Sequence, residues 1–188
     1  NFWLYLLKMM GLSCLFFSCL NNSGIDREKI FYAEDGSFSV KTFYDHTESV
    51  KSWAFYNSDS VLHGTMSTYY PNGVLTVEKD YINGKKEGVT KGYFKNGEVK
   101  YIGQYREDKK DSTWIWNDQS SNGLYLCAIE HYTNDKLFGG VIELDSNGHI
   151  SAYKFFNFNV LFGKITFNKD QPKIEGDLLF IWYNRNTV

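Results

Sequence analysis

From Gly64 onward this chain repeats itself at a fixed interval of 24 residues, and the match runs through turns, aromatics and charges alike. Gly64 returns as Gly88, Tyr69 as Tyr93, Tyr70 as Phe94, Asn72 and Gly73 as Asn96 and Gly97, Tyr81 as Tyr105, and Lys85 and Lys86 as Lys109 and Lys110. A period of this size means one supersecondary unit stacked on copies of itself, so the architecture follows from the spacing before any residue is interpreted. The unit reads as a β-hairpin. In the second copy Gly88 to Phe94 forms a strand, Lys95 to Glu98 a tight turn and Val99 to Arg106 the returning strand. Asn96–Gly97 between aromatic and β-branched runs signals a type I′ turn, since both residues tolerate positive φ.

The return strand alternates Val99, Tyr101, Gly103 and Tyr105 against Lys100, Ile102, Gln104 and Arg106, which predicts one aromatic face and one largely charged face. Glu107 to Asp111 forms a second, looser turn, equivalent to Asn83 to Glu87. Asp108 and Ser112 stand where the previous copy has Gly84 and Gly88, so this turn is expected to differ in conformation. Fainter copies follow at Asn122–Gly123, Asn134 to Gly139, Asn147–Gly148 and Leu161 to Gly163, and a degenerate turn entry precedes them at Tyr32 to Gly36. The clearest repeats are 64–87, 88–111, 112–138 and 139–162, and Leu178 to Tyr183 is expected to be the last strand.

Composition agrees with an all-β fold. Among 188 residues there are two prolines against 16 glycines, with 14 Tyr and 15 Phe, a balance that suits pleated half-buried surfaces and turns. A single domain over residues 31–188 is the expectation at this length. The net charge of −2 offers no electrostatic footprint for nucleic acid. Residues 79–111 do carry nine Lys or Arg against six acids, but the acids are interleaved, as on a solvated turn edge.

The first twenty residues have a different chemistry. Asn1 to Leu20 is nearly all apolar with one lysine at position 8, and the polar run Asn21 to Gly24 follows abruptly. This is the layout of a signal peptide over 1–18. Phe16-Phe17-Ser18-Cys19 resembles a bacterial lipobox, with a small residue ahead of the cysteine and Phe16 where that pattern has Leu, Val or Ile. The resemblance implies that Cys19 is diacylated and begins a lipidated linker over 19–30, placing the chain in the bacterial cell envelope, anchored to membrane by lipid. Two alternatives are a transmembrane helix and a signal peptide without lipid. Of the three cysteines, Cys14 would leave with the leader and Cys19 would carry lipid, so Cys127 alone remains as a free thiol. It alternates with Tyr125 and Ile129 in an apolar strand, as a small core residue does.

The copies running from Tyr69 to Gly88 and from Gly92 to Tyr105 resemble the bacterial MORN-repeat variant, with its tyrosine pair, Asn-Gly, alternating strand, Tyr and Gly-Lys-Lys-x-Gly. That variant occurs in proteins labelled YwqK-family antitoxins, many of them Bacteroidetes lipoproteins. The resemblance is close over 64–111, and it implies an elongated, twisted antiparallel sheet used for contact with proteins or lipids.

No catalytic pattern emerges. His46, His63, His131 and His149 are scattered, there is no nucleophile elbow, phosphate loop or cysteine pair, and no cofactor or metal is expected. The expected role is a membrane-anchored scaffold that grips an unidentified protein partner, with immunity against a toxin as a special case. The candidate surface is Tyr81, Tyr101, Tyr105, Trp114 and Trp116. The alternative is glycan binding, in which exposed Tyr and Trp, including Trp53, stack on sugar rings.

Overall fold

A computed structural model describes residues 27–167 and 172–176. The expected leader, Cys19 and the expected last strand at Leu178 to Tyr183 lie outside the described residues. The contacts divide the chain into two compact units, 1–85 and 86–188. The fold class is the expected one: all-β and antiparallel, built from strands that pair in chain order, with no helix among the described residues.

In the first unit lie β1 (Glu28–Tyr32), β2 (Phe38–Phe43), β3 (Val50–Tyr56), β4 (Leu62–Tyr69) and β5 (Leu75–Ile82), each hydrogen-bonded to the next. β1 opens inside the span expected to be linker. The second unit is built from β6 (Lys85–Tyr93), β7 (Val99–Arg106), β8 (Lys109–Ser120), β9 (Gly123–Thr133), β10 (Lys136–Leu137), β11 (Gly139–Leu144), β12 (Ile150–Asn157), β13 (Val160–Phe167) and β14 (Pro172–Gly176). β10 pairs only with β9, and β11 also pairs with β9 before the meander continues.

Two kinds of turn alternate along the chain, and their assignment reverses the expectation. The Asn96–Gly97 turn is the longer one. Gly97 N donates to Phe94 O at 2.9 Å and Phe94 N to Glu98 O at 2.8 Å, and only Gly97 has positive φ, at 89°. That is a three-residue loop whose last residue is left-handed, followed by a bulge where Gly92 faces Tyr101 but Tyr93 faces Val99. Glu107–Asp108, expected to be loose, is the two-residue type I′ turn, with φ of 50° and 68°. Asp108 and Ser112 thus keep the left-handed backbone that Gly84 (81°) and Gly88 (88°) adopt, rather than departing from it.

A side chain explains why aspartate serves at that position. Lys86 N donates to Asp108 Oδ1 at 2.9 Å, while Asp108 N donates to Lys86 O at 3.0 Å. The same pair of bonds recurs from Lys110 N to Asp135 Oδ1 (2.7 Å) and from Asp135 N to Lys110 O (2.9 Å). It recurs again between Leu137 and Asn159, at 2.7 and 3.0 Å. Each short turn is clipped to the one before it. Asp and Asn are the side chains that combine tolerance of positive φ with an oxygen of the right reach.

Candidate interaction surface

The expected aromatic surface belongs to β7, β8 and β9. Tyr101 faces Trp116 across the strands, and Trp116 faces Ala128. Between Ile102 and Gln104 the register slips, because β8 spends Ser112 to Trp114 opposite Gly103. Ser112, at φ 61°, turns this bulge and swings Trp114 across the neighbouring strand. Gly103 receives it: a Cβ there would overlap the indole of Trp114, and one at Gly92 would overlap the ring of Tyr101. The glycines of this face are hollows that the rings fill.

The result is a closed cluster. Trp114 stacks on Trp116 at 5.6 Å between centroids, meets Tyr105 edge-on at 5.3 Å, and lies 5.9 Å from Tyr101 and 6.2 Å from Tyr132. Its exposure is 1%, so Trp114 cannot serve as the contact residue expected of it. Tyr101, Tyr105 and Trp116 are half-buried. Tyr81 lies in the first unit, on β5 opposite Gly64, and is half-buried there.

A cation caps the cluster. Lys110 Nζ sits 4.4 Å from the Trp114 ring centroid, 4.6 Å from Tyr132 and 4.9 Å from Trp116. Burial pulls its pKa down, against the opposing pull of Glu130 and Asp135. Glu130 accepts from Trp116 Nε1 at 2.6 Å and from the Tyr132 hydroxyl at 3.0 Å. Burial first, and Glu130 second, push the Tyr132 phenol well above its ordinary value. Equivalent contacts occur in the repeats on either side, Lys86 over Tyr105 at 4.9 Å and Lys136 over Phe158 at 5.7 Å. Together they make a regular cation–π staple between successive repeats.

The other face of the same sheet carries what the sequence reading passed over. Ile102 faces Ile115, Ile115 faces Ile129, and Ile129 faces Ile142. The row continues through Tyr153, Ile165 and Ile174. Seven strands thus align one apolar residue each, straight across the ladder. Ile102, Ile115 and Ile174 are 37%, 38% and 49% exposed, and Phe167 beside them is 43% exposed. Cys127 lies next along β9 from Ile129, half-buried, with burial raising its thiol pKa. The face expected to be charged is therefore apolar along its centre. Isoleucines that recur about every half repeat were the available signal, because adjacent strands of a hairpin array fall half a period apart.

The first unit holds a separate cavity of about 550 Å³ at the turns after β1 and β3. Phe31, Ser39 and Phe55 form a cross-strand row on its wall, with His63 beside them. Among the described residues no group of three or more His, Cys, Asp or Glu is placed to hold a metal ion.

The chain matches no protein-family model and no curated protein. It is similar to a chain in the crystal structure of accessory secretory protein 1, 2 and 3 in Streptococcus pneumoniae, at 9% identity and a TM-score of 0.21. The likeness covers 97% of this chain and 25% of that one, so this chain spans about a quarter of its length. A similarity that low supports nothing about fold or function.

Proposed function

We propose that this chain is a protein-binding module of MORN-like hairpin repeats, held at the bacterial envelope by lipid on Cys19. The observation that carries the binding role is the isoleucine row. Contiguous half-exposed apolar surface is uncommon on a protein that acts alone, and it costs free energy until a partner covers it. The hairpins of the second unit supply a ladder on which a partner meets side chains at the spacing of adjacent strands. A role in immunity against a toxin is the special case of this reading, and the repeat pattern rather than the surface supports it.

The test is retention of envelope proteins on the chain and on its Ile115→Lys, Ile129→Lys variant. A protein held by the first and lost by the second is the expected result; equal retention by both would remove the row from the function. The anchor is checked separately, by palmitate labelling that disappears in Cys19→Ser. Glycan binding keeps one supporting observation, the aromatic and hydroxyl-lined cavity of the first unit. It moves there from the cluster of the second unit, where Trp114 is covered. Oligosaccharide titration with Phe55→Ala as the control checks it, and unchanged affinity in that variant would end the reading.

A further inference from the structure

The sheet of the second unit has two faces, and only one of them is finished. Rings filling glycine hollows and a capping lysine cover the first, as Trp114 at 1% exposure records. The second presents the isoleucine row with nothing over it among the described residues. A β-sheet with one apolar face becomes stable by setting a second layer on it. We propose that this layer is a second copy of the same chain, the two isoleucine rows packing face to face about a two-fold axis. This rests on the reading of the row as an interaction surface and names its occupant.

Three observations favour a copy over a different protein. The row carries no charge from Ile102 to Ile174 and ends at Lys91, which faces Ile102, so its centre offers no electrostatic cue that would select an unlike partner. Its aliphatic members are all isoleucine, so when two copies face each other about a two-fold axis, side chains of one size and shape oppose one another along the row apart from Tyr153. Its size also fits. Seven strands at about 4.8 Å spacing extend about 29 Å. With the flanking positions at Cys127, Leu144, Phe155 and Phe167 the patch is about 20 Å wide, a footprint of roughly 600 Å², close to the roughly 800 Å² per partner of a standard interface. Sheets packed this way lie about 10 Å apart, a gap that opposed isoleucines fill.

The experiment has two arms. Light scattering of the full chain in nonionic detergent, with the micelle subtracted, is expected to give a dimer mass that falls to a monomer in Ile129→Lys. Because a lysine there could disturb folding, the second arm uses small neutral changes. Single cysteines replace Ile102, Ile115, Ile142 and Ile165 in a Cys127→Ser background, and membranes carrying each are oxidised. Row positions are expected to cross-link into a covalent dimer, most strongly toward the middle of the row, while a cysteine at Ala128 on the opposite face does not. A monomer with no cross-link at any row position overturns the dimer. If that monomer still captures an envelope protein in a row-dependent way, the interaction reading survives without the dimer. If capture is also independent of the row, both fall.

Discussion

The two faces of the β7–β9 hairpins are both rich in large apolar residues, yet one is closed and the other open. On the closed face Trp114 and Tyr101 lie over Gly103 and Gly92, so each ring has a hollow cut to its size in the adjacent strand. The π surfaces left over are taken by Lys110. On the open face isoleucine opposes isoleucine, and equal side chains set side by side leave their tips in solvent. Complementary sizes within one layer, rather than the amount of apolar surface, decide which face satisfies itself. Aromatic content is accordingly a poor guide to where such a sheet binds.

The comparison can be broken most directly by truncation on each side. Trp114→Ala removes the largest fully buried side chain among the described residues and leaves Gly103 uncovered. It is expected to lower stability by about 3 to 5 kcal/mol, the range for removal of a core aromatic. Ile115→Ala, at the same level of the opposite face and 38% exposed, should lower it by about 1 kcal/mol in the monomer. Urea titration of the two variants checks the ratio; equal losses would mean that the faces are alike after all. Next in size is Gly103→Ala. The new methyl must displace the Trp114 indole, and overpacking of this kind costs about 1 to 3 kcal/mol. Gly140→Ala is the control, with nothing within 4 Å of the added carbon. It should be close to neutral by the same assay.

Smaller effects come from the clips that hold one repeat to the next. Asp108→Gly keeps a residue that accepts φ of 68° but loses the bond from Lys86 N, and should cost about 1 kcal/mol. Asp108→Ala loses the bond and also strains the backbone, adding about 1 kcal/mol more. The difference between the two thermal melts separates side chain from backbone. Lys110→Met, which fills the same space without the charge, is expected to cost about 1 kcal/mol if the cation matters. A melt that matched the parent would reduce Lys110 to packing.

Much of this was legible in the chain itself. The interval from Gly64 to Gly88 implies hairpins, and the boundaries Val99 to Arg106 emerge as β7. What could not be read was the conformation of the turns, because Asn96–Gly97 suits both a type I′ turn and a three-residue loop. The structure reveals the choice through the bulge after Gly92. Nor did alternation within a single strand identify the closed face. Trp114 reaches Gly103 only because Ser112 inserts a bulge, and a register shift between strands leaves no mark in either strand alone. Tyr132, Lys110 and Glu130 were missed for that reason. The isoleucine row was missed for another: its members are half a period apart, while the comparison of copies looks only at whole periods.

The finest distinction between the faces is electrostatic: the closed one sets a buried lysine against a buried phenol around Glu130, whereas on the open one burial raises the Cys127 thiol beside the isoleucine row. Tyr132 has its pKa raised above the ordinary 10.0 by burial and by Glu130, so the folded state holds its proton more tightly than the unfolded chain does. Its contribution is fully present below pH 10 and is lost as pH climbs through the folded value. Lys110 has the opposite sign. Its pKa is lowered from 10.5, so the unfolded chain binds the proton more tightly and stability from this group is regained as pH rises toward 10.5. The two therefore oppose each other near pH 10, and Tyr132 alone acts above 10.5. Tyr132→Phe is expected to flatten the loss of stability above that pH and to remove one late-titrating phenol from the ultraviolet absorbance curve. Ile129→Val, on the open face of the same strand, should leave both curves unchanged. An alkaline profile in Tyr132→Phe that matched the parent would show that the cluster around Trp114 is open to water, and the contrast between the faces would then rest on shape alone.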